Sequence, residues 1–242
     1  MRKWISLALA LVLIFTLCAC SVSAPKPTPE PTPTPAPTPT PEPTELDLWL
    51  NRALSRYNME YESFAEYWDL MCDEFYGDSI KTVLAAISFE DKDKEVSDKH
   101  AELDSKYGSD WKYEITDCKK NDLGEKACKD FAEELEDVSE RAMIVVNASA
   151  SWGQRQWNDF AEAHGCTVDE AKAVVAAFAT ISETCHEAKV TKALELTLTL
   201  EFSGGKTKTA QTSEVNAVYE VNGVYVSEML LDYSYALLNL VG

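Results

Sequence analysis

The amino-acid sequence predicts an α+β domain: long N-terminal helices and a helical insertion packed on a curved, cone-like antiparallel sheet that ends in a three-stranded meander. Three observations predict it. Apolar residues recur at steps of three and four through most of residues 45–187, the period of one helix face. From Leu194 to Phe202 they alternate with Thr and Glu, the period of a half-buried strand. Two tight-turn dipeptides, Gly204-Gly205 and Asn222-Gly223, then divide the last apolar stretch into strands. All ten prolines fall between Pro25 and Pro43, so the elements beyond them are free to run long.

Taken in order, Leu46, Leu50, Ala53, Tyr57, Tyr61, Phe64, Trp68, Met71 and Phe75 mark one long helix, started by Thr44 with Asp47 and stopped by Gly77. A second helix is expected over 79–107, with Gly108 as terminator and the charged run "FEDKDKE" as the place where it bends. In "DWKYEITD" Trp111, Tyr113 and Ile115 alternate with Lys112, Glu114 and Thr116, a strand. Asp122 with Glu125 has the spacing of a capping box that opens a helix to about Asn147. "SWGQRQWNDFAEAHG" reads as a short helix ended by Gly165, and "TVDE" as a capping box for a helix burying Ala171, Val174, Phe178, Ile181 and Cys185; this pair, about 152–187, reads as an insertion. A two-residue Gly204-Gly205 loop would set Leu194 opposite Val215 and Leu198 opposite Gln211. The Asn-Gly loop would set Val221 opposite Val224 and Tyr219 opposite Val226. Leu230, Leu237, Leu238 and Val241 mark a short C-terminal helix.

The first 44 residues are of another kind. Arg2 and Lys3, an apolar run from Trp4 to Leu17, and small residues before Cys20 have the layout of a secretory signal over 1–19. The run is shorter than the twenty or so residues a membrane span needs. "LCAC" resembles the lipobox of bacterial lipoproteins, which implies that Cys20 becomes the lipidated first residue of the mature chain. Residues 20–44 then form a stalk: prolines alternating mostly with Thr hold extended polyproline II geometry, and at about 3.1 Å per residue the stretch from Pro25 reaches roughly 60 Å. Residues 45–242 are expected to form a single α+β domain. Only three of the 22 bases and two of the 41 acids precede residue 45, which leaves that domain a net charge of −20. Such a charge repels nucleic acid and anionic headgroups as partners.

"KYGSDWKYEITD" (106–117), "AKVTKALELTLTL" (188–200) and "VYEVNGVYV" (218–226) together resemble the cone-shaped domains of the nuclear-transport-factor-2-like (cystatin-like) superfamily, as they occur in lipoproteins of Gram-positive anaerobes. The resemblance implies helices roofing a curved meander. Enzymes of that superfamily, such as ketosteroid isomerase, set an acid or base inside the cone against an oxyanion donor. No Asp, Glu or His falls on a concave strand face here, and Tyr219 alone is no catalytic machinery.

Two candidate binding sites follow. Thr209, Gln211 and Ser213, expected on the leucine face of the meander with Tyr219, would orient a small ligand in a pocket. Trp152 and Trp157, set among Gln154, Arg155, Gln156 and Asn158, would stack on a sugar ring or anchor a peptide; with Phe160, Ala161 and His164, Trp157 also makes an ordinary packing stripe. No metal site is expected. His164, Cys166, Cys185 and His186 suit zinc by type, but the predicted helix between Cys166 and Cys185 holds the two pairs roughly 28 Å apart. In "DKDKEVSDKHAE" Val96 replaces the glycine a calcium loop requires. Cys118 and Cys128 flank a helix start at a spacing that would allow a bridge, and five domain cysteines leave at least one thiol unpaired. The sequence thus points to an extracytoplasmic, lipid-anchored protein that binds a small molecule, glycan or protein without catalysis and without a cofactor. Its alternatives are an isomerase- or dehydratase-like enzyme in the cone pocket, or a purely structural protein–protein module.

Overall fold

Thr44 opens the domain with a complete capping box: its Oγ1 accepts from the Asp47 amide at 3.2 Å, and Asp47 Oδ2 accepts from the Thr44 amide at 2.8 Å. The structure, a computed structural model, describes residues 42–87, 89–205 and 207–241. Helix α1 (Glu45–Tyr57) ends where the sequence predicts that it continues. Asn58 leaves the helix to clamp a distant strand, its Nδ2 donating to Tyr113 O at 3.3 Å and its Oδ1 accepting from Tyr113 N at 2.7 Å. Met59 then takes a left-handed φ of 50°. The expected single helix is therefore two, α1 and α2 (Phe64–Tyr76), which share an apolar period because each buries one face. The second long helix is likewise two, α3 (Asp78–Ala86) and α4 (Glu90–Tyr107), parted just before the charged run.

Strand β1 (Lys112–Asp122) outruns its predicted end at Asp117. Asp122 closes it without capping the next helix: Oδ1 accepts from the Gly124 amide at 2.7 Å, and α5 (Gly124–Ser149) starts with Leu123 as an N-cap that makes no side-chain bond. Helix α6 (Gln154–His164) ends at Gly165, left-handed at φ 68°. Helix α7 (Val168–His186) carries the expected box, Thr167 with Glu170, and the expected buried stripe. The chain closes with β2 (Val190–Gly204), β3 (Thr207–Val221), β4 (Val224–Ser227) and α8 (Met229–Val241).

The four strands form one antiparallel sheet in the order β1-β2-β3-β4, so the chain is mixed helix and sheet, as expected. Both faces of the sheet carry a core. Leu194, Leu196, Leu198 and Leu200 on β2 join Val218, Tyr225 and Leu46, Trp49 and Ala53 of α1 on one face. Ala193, Tyr219, Val221 and Val226 join α2, α3, α5, α7 and α8 on the other. Helix α7 lies at the centre of that larger core, with Phe178 fully buried. Ser139 of α5 and Ser182 of α7 settle their buried hydroxyls reciprocally, each donating to the other's carbonyl at 2.9 and 3.0 Å.

The two turns behave differently. Asn222 and Gly223 form the two-residue turn at positive φ (52° and 91°), and Val221 pairs with Val224 and Tyr219 with Val226, as expected. Gly204 instead pairs with Thr207, and a bulge between Phe202 and Gly204 sets Leu194 opposite Val218 and Leu198 opposite Glu214. The register differs from the predicted one by three residues, an odd number, so every side chain of β3 changes faces. Close packing is the cause. A Cβ on Gly204 would lie 3.0 Å from Tyr107 O and 3.1 Å from Trp111 Cβ, and the Gly205 amide donates to Asp110 Oδ1 at 2.9 Å. The glycines serve an approach to the 107–111 segment as well as a turn.

Candidate functional site

The corner between α5 and α7 gathers four aromatic rings. Helix α5 is shut off by serines: Ser149 Oγ donates to Val146 O at 2.7 Å, Ser151 Oγ to Ala148 O at 3.0 Å, and the Trp152 amide to Ser149 O at 2.9 Å. Gln156 Oε1 then caps α6 by accepting from the Gly153 amide at 3.0 Å. Along α6, Trp157, Phe160, Ala161 and His164 follow the three-and-four spacing of one face. Trp152 from the turn meets Trp157 edge-on, with ring centroids 4.9 Å apart at 73°, and lies 5.4 Å from Phe160, which is 4.5 Å from His164. All four rings are half-buried, while Ala161 beneath them is buried. Burial holds the His164 imidazole below its ordinary value and so favours the neutral ring.

The polar rim of this corner is partly committed. Gln154 Nε2 donates to Asn158 Oδ1 at 2.9 Å, and Arg155 stands 3.7 Å from Asp159 with a side chain 91% exposed. Both predicted tryptophans are therefore brought together, in contact and partly open. Packing and exposure coexist on the same rings, where the sequence presented them as alternatives.

The strand site does not assemble as expected. Gln211 and Ser213 pair with Glu201 and Thr199, on the face opposite the leucines, and both are exposed. The side chain of Thr209 lies outside the described residues. Tyr219 also sits on the far face and lines no cavity: its ring is stacked on Phe131 at 3.8 Å and 7°, and it is 7% exposed. Burial raises its phenol above the ordinary value. Cys20 and the rest of 1–41 fall outside the described residues. Among the described residues, no helix is long and apolar enough to cross a membrane.

Between α1, α2 and β4 lies one enclosed crevice, lined by Trp49, Arg52, Arg56, Met71, Glu74 and Tyr225. Its room is about 10 Å³, that of a single water. The sequence reading missed its two arginines, whose i,i+4 spacing in an acidic domain was the available signal. Arg52 pairs with Glu74 and donates to Tyr225 O at 3.0 Å; Arg56 reaches Met229 Sδ at 2.8 Å and lies 4.7 Å from the Tyr57 ring. They tie α1 to the sheet and α8.

Titratable groups in the interior are few. The buried polar residues among those described are serines: Ser139, Ser149, Ser182, Ser227 and Ser234. The thiols of Cys72 and Cys185 are pushed up to about 12 by burial, which keeps them protonated and unreactive. Cys118 packs on the leucine face and Cys128 against the opposite core, so the sheet separates them, and every domain cysteine is a free thiol. Among the described residues no group of three or more His, Cys, Asp or Glu could hold a metal ion. His186 Nδ1 is instead 3.0 Å from both carboxylate oxygens of Glu136. No protein family, characterised protein or solved structure matches the chain.

Proposed function

We propose that this is an extracytoplasmic lipoprotein, anchored through Cys20 and held off the membrane by its Pro/Thr stalk, whose domain binds a partner without chemistry through the corner of Trp152, Trp157, Phe160 and His164. One observation carries the binding site: the rings of the corner form a continuous aromatic surface that the fold leaves half open. A partly exposed aromatic patch with a polar rim is the kind of surface that marks an interaction site, and Trp and Arg are over-represented among residues that dominate binding energy. The crevice between α1, α2 and β4 admits about one water, too little room for a small ligand there.

The test pairs the full chain with its Trp152→Ala/Trp157→Ala variant in thermal-shift measurements against soluble glycans, peptides and small carboxylic acids. A compound that stabilises the wild type and not the variant supports the corner as the site. A compound that stabilises both alike places binding elsewhere, and stabilisation by none overturns the small-ligand reading. The anchor is tested separately: Cys20→Ser should move the chain from the membrane fraction to the soluble one, and an unchanged distribution would remove the lipid from the account.

A further inference from the structure

We infer that Asn222 is a self-modification site: the peptide nitrogen of Gly223 attacks its carboxamide, and the folded chain converts there to aspartate and isoaspartate without an enzyme. Both residues of the turn are exposed, and no other asparagine of the chain precedes glycine. A side chain on the following residue crowds such an attack. Where a Cβ on Gly223 would stand, nothing lies within 4 Å.

The reaction needs only water. The Gly223 nitrogen gives its proton to solvent base and bonds to Asn222 Cγ, while the Cγ–Nδ2 bond breaks and Nδ2 leaves as ammonia, taking up a proton from water. A succinimide ring remains. Water then opens it at either carbonyl, which leaves aspartate by one route and isoaspartate by the other.

The fold supplies both the activation and the approach. The Lys189 amide donates to Asn222 Oδ1 at 3.0 Å, and the Asn222 amide donates back to Lys189 O at 3.1 Å. The first bond draws electrons from Cγ and meets the negative charge that gathers on Oδ1 as the ring closes, as an oxyanion donor does. The second keeps that donor in place. With φ of 52° and 91° the turn is of type I′, whose ψ of about 30° at the first residue turns the next nitrogen away from Cβ. Ring closure needs that nitrogen beside Cβ, at the ψ of about −120° that a type II′ turn has. The two turns share the positive φ of Asn222 and differ by rotation of the one peptide between the residues. Gly223 accepts either sign of φ, and both turns close two-residue hairpins. The rotation therefore leaves Val221 paired with Val224 and both Lys189 bonds intact.

The products differ in what they do to the hairpin. Aspartate keeps an oxygen for the Lys189 amide. Isoaspartate runs the main chain through Cβ and lengthens a two-residue turn by an atom, which strains the pairing that holds the buried Tyr225 and Val226 in place.

Peptide mass mapping of the full chain, aged in mildly alkaline buffer, tests the inference, with far-UV circular dichroism as the folding control and a urea-unfolded sample as the reference. Asn222 should gain the mass of the amide-to-acid exchange before any other asparagine, and the isoaspartyl fraction should melt at lower temperature. A folded-state rate below the unfolded one by about a thousandfold or more means that the reaction waits for global unfolding, and overturns the inference; a faster one supports it. Lys189→Pro removes the donor to Oδ1 and should slow the folded-state reaction by about threefold or more. An equal or faster rate in that variant also overturns the inference, since the bond would then be idle or protective. If Lys189→Pro unfolds the chain, the folded and unfolded rates of the wild type decide alone.

Discussion

The two ends of β3 belong to one strand yet lie in opposite surroundings. Val218 and Val221 are fully buried and Tyr219 nearly so, because α1 lies over one face and the helical core over the other. From Ala210 to Val215 every residue is exposed, and Val215 is 62% exposed. Both ends pair with β2, and their β-forming residues are not very different. Burial in a sheet is therefore assigned by what covers it. The distal end is held by its ladder to β2, whose leucines pack on α1 and on the inner side of β1.

This contrast can be broken by substitution. Leu200, 1% exposed and opposite Thr212 of the open end, should cost about 2–5 kcal/mol on change to alanine in urea unfolding. A cost below about 1 kcal/mol would mean that the distal sheet does not depend on the leucine face. Within β3 itself, Val218→Ala should cost about 2 kcal/mol and Val215→Ala less than about 0.5; equal costs would erase the distinction between the ends. Gly204→Ala, whose new methyl meets Tyr107 O and Trp111, should cost about 1 kcal/mol or more, and a neutral result would remove close approach as the reason for the shifted turn.

The smallest effect belongs to the aromatic corner. Its imidazole has a folded-state pKa below the ordinary 6.5, so the unfolded chain binds the proton more readily. The resulting stability is present above 6.5 and is lost as pH falls through the lowered folded value. His164→Gln should flatten that part of the stability–pH curve between pH 7 and 5, and an unchanged slope would assign it to other groups.

Much of the fold is legible in the residues. The Thr44–Asp47 and Thr167–Glu170 boxes, the Gly165 stop, the buried stripe of α7 and the Asn222-Gly223 turn are local features, each settled within one helical turn or one hairpin. Trp152 and Trp157 came together because five residues spanning a helix start bring them onto one side. What was not legible depended on distant partners. The break at Asn58 answers to Tyr113, some fifty-five positions away, and apolar periodicity passes through it undisturbed. The Gly204 register answers to Tyr107 and Trp111, and with it went the expected pocket of Gln211 and Ser213.

The sequence by itself determined which segments are helix and which are strand, where several of them start and stop, and that Leu194 to Leu200 would be buried, because those outcomes rest on periodicity and capping bonds between near neighbours. Only the tertiary structure decided which face of β3 meets the leucines and that the crevice between α1, α2 and β4 has room for about one water. Those depend on how far one element slides past another, and a slide of three residues changes no local preference while it turns a whole strand over.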